Sequence, residues 1–286
     1  MSKSQTESSI RKVALTSLSG TSIEWYDFFL YGAAAGLVFP KLFFGDVDPT
    51  TALVLSFMTF AAGFIARPIG GIIFGHFGDL IGRKKTLVIA LMLMGISSTV
   101  IGLLPTYETI GIAAPILLTS LRFCQGIAIG GQWGGAMLLV TESAPSDRRG
   151  YYGAYAQAGA PVGVILANIA FISVSMLTSE ESFLSWGWRI PFLISFVLVI
   201  ISMYIQLNLE DTKAFKDLEA MKSSTEGGVK EIKSSPILEA LRRYPKRISL
   251  AAGAFLSVQV TFYILVAFIL AYGVQTTELS LSLIHI

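Results

Sequence analysis

Residues 20–32 read GTSIEWYDFFLYG, from Gly20 to Gly32, and open a segment that stays mostly apolar as far as Phe44. Two carboxylates, Glu24 and Asp27, stand inside a run long enough to cross a membrane. One acid at the centre of a spanning helix costs about 2.5–3.5 kcal/mol on an insertion scale, so two of them mark either a working site or a strong structural pair.

The composition agrees with a membrane setting. Of 286 residues, 53% are hydrophobic and 14% are charged, where a soluble domain carries roughly 25% charged residues. The net charge of +2 is too small to recruit a nucleic acid. The one cysteine, Cys124, leaves no disulfide framework. The first hydrophobic segment is too long for a signal-peptide core and is expected to be kept as a spanning helix. The two histidines, His76 and His285, form no metal-ligand cluster and no catalytic constellation accompanies them, so neither a metal nor an enzyme activity is expected.

About 20 apolar residues cross the hydrocarbon core as a helix. Spans are expected near 18–44, 52–75, 86–104, 111–140, 151–176 and 187–208, with a seventh near 248–274. The expected organisation is a six-helix bundle over 1–208, a Lys-, Glu- and Ser-rich cytoplasmic linker over 209–247, a seventh helix over 248–275 and a tail over 276–286. Within the linker, TKAFKDLEAM and ILEALRR have the spacing of short amphipathic helices. Of 21 basic residues, 17 fall at the N-terminus, after the second and fourth spans and in the linker. The positive-inside rule therefore puts the N-terminus and the linker in the cytoplasm. A single helix after the linker leaves its small and polar positions without partners, so the chain is expected to be the first part of a longer protein.

Residues 75–87, GHFGDLIGRKKTL, follow the second span. Gly75, Gly78 and Gly82 permit a tight reversal, and Arg83, Lys84 and Lys85 hold it inside. The spacing of Gly75, Asp79, Gly82, Arg83 and Lys84 resembles the signature loop of the major facilitator superfamily. Arg122, Gln125 and Gly126 in LTSLRFCQG resemble its R-x-x-Q-G element, and Glu142, Arg149 and Gly150 in ESAPSDRRG its E-x6-R-G element. EWYDFFLYG, ARPIGGIIFGHFGD, GGQWGGA and WGWRIPF together look like its metabolite:proton symporter branch, carriers of organic acids and osmolytes. The resemblance runs over roughly residues 15–275. It implies an all-α membrane protein: one six-helix half of a twelve-helix fold plus the first helix of the second half, which is expected to pack against residues 1–208.

The resemblance also implies roles. Gly75, Asp79, Gly82, Arg83, Lys84, Glu142 and Arg149 correspond to a cytoplasmic gate, and Leu80 stands where the family usually has a basic residue. The Arg122 position is associated with proton coupling. Gln132 replaces an acid common in the branch, which removes a titrating role there and moves it to Asp27 and Glu24. QAGAPVG at 157–163 partly matches the antiporter G-P-x-x-G element, with Ala160 in place of a glycine, and Pro161 is expected to kink its helix.

The residues themselves say more about the charges. Glu24 and Asp27 are three apart, with Tyr31 four beyond Asp27, so all three share one side of a helix. Arg67 lies eight residues before Gly75 at a similar depth and is the expected partner of Asp27 or Glu24. The trio reads as a structural ion pair or as a coupling cluster, with Asp27 the preferred proton acceptor. On the fourth span, Arg122, Gln125, Gln132 and Trp133 gather on one side, which suits a water-filled cavity better than lipid. With Tyr31 and Gln157 they form the expected substrate cavity, where Arg122 offers a two-pronged donor to a carboxylate. Glycines four apart, at 63, 71 and 75 around Arg67 and at 126, 130 and 134, suit close helix packing.

The expectation is a proton-coupled secondary transporter of the bacterial inner membrane, moving a small polar metabolite, an organic acid, with the proton as coupling ion and no other cofactor. An antiporter or a carrier of zwitterionic osmolytes is the alternative within the class, and a membrane receptor or scaffold the alternative outside it. The substrate and the lipid bilayer are the expected partners, with no nucleic acid.

Overall fold

The polar start and the acid-bearing segment form one unbroken helix. In a computed structural model, which describes residues 3–81, 83–207, 242–269 and 272, α1 spans Lys3–Leu37. Several of its hydroxyls bond back to their own helix: Thr21 donates to the Ser17 carbonyl at 2.9 Å and Ser22 to the Leu18 carbonyl at 2.7 Å. Such self-satisfaction lets Ser and Thr sit in an apolar environment at little cost. After Val38 comes α2 (Phe39–Leu42). Gly45 then adopts a φ of 66° beneath Tyr107, where a Cβ would lie 2.5 Å from the ring. Only glycine fits that backbone and that space.

Asp48 begins α3 (Pro49–Ile81) by accepting the N–H groups of Thr50 at 3.1 Å and Thr51 at 3.0 Å. Hydrogen bonds from Thr51, through side chain and backbone, and from Thr50 hold the exposed Asp48 carboxyl below its usual range. The chain continues through α4 (Arg83–Leu103), α5 (Tyr107–Ile110), α6 (Ala113–Ser143), α7 (Arg149–Leu177) and α8 (Glu180–Ser182). A π-helical turn, Phe183–Gly187, then leads into α9 (Arg189–Leu207). These elements belong to a unit covering Met1–Glu219. A second unit, Ala220–Ile286, contains α10 (Pro245–Tyr263) and a π-helical turn, Ile264–Phe268. The expected linker helix at 212–221, most of that at 237–243 and the tail 276–286 lie outside the described residues.

Among the described residues, Pro49–Gly78, Lys85–Leu103, Ala113–Gln132 and Arg149–Leu177 are long and apolar enough to cross a membrane. Glu180–Gly187 with Arg189–Tyr204, bent by 44°, makes a fifth candidate span. α1 is not among them, because its acids and hydroxyls dilute its apolar content. Two boundaries differ from the sequence expectation. The first helix stops at Leu37 rather than running to residue 44. α3 continues through Gly75 and Gly78 to Ile81, so the reversal before Arg83 is shorter than the three glycines suggested. Pro161 lies inside α7, which carries on to Leu177.

In the first unit α3 packs most closely on α6, α1 on α7, and α4 on α9 and α6. Exchanging the triplet α1, α3, α4 for the triplet α6, α7, α9 converts the α3–α6 pair into α7–α1 and leaves α4–α9 in place. The pairing is that of a three-plus-three repeat. Glycines set the distances. A methyl group on Gly126 would land on the Gly63 carbonyl, and one on Gly130 on the Arg67 carbonyl. A Cβ on Gly163 of α7 would lie 2.7 Å from the Tyr26 nitrogen of α1. Backbone contact of this kind is available only where both faces are small. At the far end of α4, Arg189 donates to the Gly102 and Leu104 carbonyls at 3.0 and 2.6 Å and stacks on Trp188 at 4.5 Å. Phe39, Phe43 and Phe192 close around the same Trp188.

Candidate functional site

α1 delivers Glu24, Asp27, Phe28 and Tyr31 into the interior of the first unit, all buried. Asp27 is 1% exposed and Glu24 2%, so neither charge reaches solvent, and each needs a partner to persist. The structure gives them different ones. Arg67 of α3 is the cation that acts on Glu24, while Arg122 of α6 acts on Asp27 and on the Tyr31 hydroxyl. The sequence had left Arg67 as partner for either acid. Residues three apart are separated by about 60° around a helix, and here that is enough to turn Glu24 towards α3 and Asp27 towards α4, α6 and α9.

A line of hydrogen bonds leads to Asp27. Arg122 Nη1 donates to Gln125 Oε1 at 3.1 Å, and Gln125 Nε2 donates to Ser98 Oγ at 2.7 Å. The Ser98 hydroxyl faces the Asp27 carboxylate. From the other side Ser195 Oγ donates to Asp27 Oδ1. Asp27 Oδ2 is buried and has no hydrogen-bond partner among the described residues. One carboxylate oxygen is therefore tied to α9, the Ser98 hydroxyl of α4 also bears on the carboxylate, and Oδ2 is left without a close hydrogen bond among the described residues.

Aromatic rings wall the arginines. The Arg122 guanidinium carbon lies 4.3 Å from the Tyr31 ring centroid and 4.7 Å from those of Phe28 and Phe60. Arg67 lies 4.6 Å from the Phe28 centroid and 4.7 Å from that of Phe64. Desolvated cation–π contacts are worth about 2 kcal/mol or more, which offsets part of the cost of burying a guanidinium. Gly63 makes the room: a Cβ there would meet Arg122 Nε at 2.8 Å. Tyr31 is held in turn by Thr59, hydroxyl to hydroxyl at 2.7 Å. Ser56 on the same helix donates to the Ala35 carbonyl at 2.6 Å.

The expected cavity residues divide. Tyr31, Arg122, Gln125 and Gln132 are buried inside the bundle, with the rings of Phe28, Tyr31 and Phe60 beside Arg122. Gln132 Oε1 has no hydrogen-bond partner among the described residues. Gln157 sits on the exposed side of α7, away from the enclosed cluster. The Trp133, Asp79, Arg83, Lys84 and Glu142 side chains and the whole of Gly82 lie outside what is described; Gly75 is within α3 and Arg149 is exposed at the start of α7. Among the described residues no group of His, Cys, Asp and Glu could hold a metal.

Sequence reasoning missed Ser98, Ser195, Phe28 and the Phe60–Phe64 pair. The serines stand in apolar runs, ISSTV and LISFVLV, where most hydroxyls bond only their own helix. The phenylalanines carried no sign that distinguishes a cation-bearing ring from core packing.

Residues 12–242 match the family model described as sugar (and other) transporter. The chain is 45% identical over 272 residues to the inner membrane metabolite transport protein YhjE of Escherichia coli K12, covering 95% of this chain and 60% of that protein. It is 43% identical to the shikimate transporter of the same strain, covering 94% and 60%. The proline/betaine transporter of that strain is 36% identical, with 92% and 53% covered. The chain thus spans between about half and 60% of the length of these relatives. Among solved structures, the proton:xylose symporter XylE bound to a bromodeoxyglucose superposes with a TM-score of 0.66 at 18% identity, covering 76% of this chain and 48% of that one. That likeness concerns the fold: the six-helix unit is the N-terminal half of the same architecture. The chain belongs to the sugar (and other) transporter family, within the major facilitator superfamily.

Proposed function

We propose that the chain forms the first half of a proton-coupled secondary transporter of the bacterial inner membrane, which moves a small organic acid by alternating access, with the N-terminus in the cytoplasm. The observation that carries this reading is the Asp27 site. A carboxylate shut inside the bundle is held by the Ser195 and Ser98 hydroxyls, its Oδ2 has no close hydrogen bond among the described residues, and it lies in the field of Arg122. When Asp27 Oδ2 takes a proton, the carboxylate loses its charge and its attraction for Arg122. The guanidinium, a two-pronged donor, then turns to a carboxylate on the substrate. Buried ionisable groups in spanning segments are costly and mark transport pathways, and the close glycine contacts of α3 with α6 leave smooth faces for rocking between states.

The relatives named for shikimate and for proline and betaine support an organic acid first and a zwitterion second. The cluster carries two acids and two arginines, Glu24, Asp27, Arg67 and Arg122, so its net charge favours neither. Uptake of labelled organic acids and betaines by the full-length parent, with and without a protonophore, tests the reading. Accumulation of an organic acid that collapses with the proton gradient is the expected result. Uptake indifferent to the protonophore would defeat symport, betaine uptake alone would move the substrate class to osmolytes, and no uptake of either would favour a receptor or scaffold.

A further inference from the structure

The two arginines that act on Glu24 and Asp27 meet on one ring. The guanidinium carbon of Arg67 lies 4.6 Å from the Phe28 centroid and that of Arg122 lies 4.7 Å from it, so the two cations, Arg122 buried and Arg67 half-buried, are within about 9 Å of each other, in surroundings where charges act more strongly than in water. Phe28 follows Asp27 directly and stands one turn beyond Glu24, so on the helix it lies beside Glu24, about 40° round from it, and about 100° from Asp27. Phe64 serves Arg67, and Tyr31 and Phe60 serve Arg122, but the Phe28 ring is shared. It is 1% exposed and fixed by Phe60 at 4.9 Å and Phe64 at 5.5 Å, so it cannot swing away from one cation to suit the other.

We propose that Phe28 is a positioning residue that couples the two pairs, so that the charge state of Asp27 is felt at Glu24 through the shared ring. A ring has a finite negative face, and two cations drawing on it compete. While Asp27 is ionised, Arg122 is divided between that carboxylate and the rings. When hydronium transfers a proton to Asp27 Oδ2, one of its O–H bonds breaks as the carboxyl O–H forms, leaving water and a neutral carboxyl group. Arg122 then leans more on Phe28, Phe28 holds Arg67 less, and Arg67 shifts towards Glu24. The reverse follows when the proton returns to water. The charged and titratable groups that face this arrangement are Glu24, Asp27, Tyr26 and Tyr31 on α1, Arg67 on α3 and Arg122 on α6, while α4 and α9 contribute the neutral Ser98 and Ser195.

The pH part of this proposal rests on Asp27 being the proton site; the coupling of the two arginines does not. The test replaces Phe28 in the full-length parent with mono-, di- and trifluorophenylalanine, which keep the shape of the ring while draining its negative face. The pH midpoint of uptake is expected to move in step with fluorine number, roughly tenfold in apparent proton affinity across the series. The movement is expected to vanish in a Glu24→Gln background. A second measurement needs no transport: a double-mutant cycle of Arg67→Gln and Arg122→Gln, read by thermal unfolding of the purified protein. Its coupling is expected to shrink at least threefold when Phe28 is trifluorinated. A pH profile and a cycle both unchanged by fluorine would overturn the proposal. Uptake that ignores protons while the cycle responds to fluorine would remove the proton reading and leave the arginine coupling supported.

Discussion

Ser195 of α9 donates its hydroxyl hydrogen to Asp27 of α1, joining residues 168 positions apart in the sequence. This bond ties the first long helix of the bundle to the last at the one acid that Arg122 also faces. A buried acceptor that loses its donor bears a desolvation cost of about 1–3 kcal/mol, more when it is charged. Ser195→Ala is therefore expected to lower proton-driven uptake at least tenfold, while Ser195→Thr, which keeps the hydroxyl, retains most of it. Equal uptake by the two variants would show that the bond is incidental.

Asp27→Asn keeps the shape and a hydrogen-bond acceptor for Ser195 but cannot take up and release a proton. Accumulation against a gradient is expected to disappear, while exchange of labelled for unlabelled substrate across vesicles persists. Uptake at the parent rate, still abolished by a protonophore, would place the proton elsewhere.

Arg122→Lys retains one charge but not the planar fork that reaches Gln125 while stacking on three rings. An ammonium is a more strongly hydrated point charge and fits that box poorly. Breaking a buried pair outright costs about 3–5 kcal/mol, so Arg122→Ala is expected to lower the thermal unfolding temperature more than Arg122→Lys. Both variants are expected to lose uptake. A lysine variant with parent uptake would mean that charge alone suffices.

Gly126 sets the approach of α6 to α3, and a methyl there would strike the Gly63 carbonyl. Gly126→Ala is expected to destabilise the bundle by about 1–3 kcal/mol, the usual cost of overpacking. Gly75→Ala is the control, because a Cβ at Gly75 meets nothing. Thermal unfolding of the two variants side by side gives the comparison, and equal stability would mean that α3 and α6 separate freely.

The charges were legible in the sequence because an acid or an arginine within an apolar run is expensive and stands out, as Glu24, Asp27, Arg67 and Arg122 do. Their pairing was not, since it depends on which neighbour each face of α1 meets. Ser97 and Ser98 show the limit most plainly. They are adjacent and chemically identical, yet Ser97 donates to the Leu93 carbonyl of its own helix at 2.7 Å while Ser98 accepts from Gln125 and faces Asp27. The helices themselves were readable from apolar length. The end of α1 at Leu37 and the run of α3 through Gly75 and Gly78 were not, because glycine and proline permit a break without requiring one.

The three-plus-three pairing of the helices gives the two charge pairs unequal standing. Glu24 and Arg67 both come from α1 and α3, inside one triplet. Asp27 and Arg122 come from α1 and α6, on opposite sides of the seam between triplets, and the two serines beside them come from α4 and α9, the pair that the exchange leaves in place. Neutralising Glu24 therefore alters cohesion within one set of three helices. In the proposed mechanism, neutralising Asp27 would weaken the attraction of one set of three for the other, and a single proton would act as a mechanical event inside the six-helix unit.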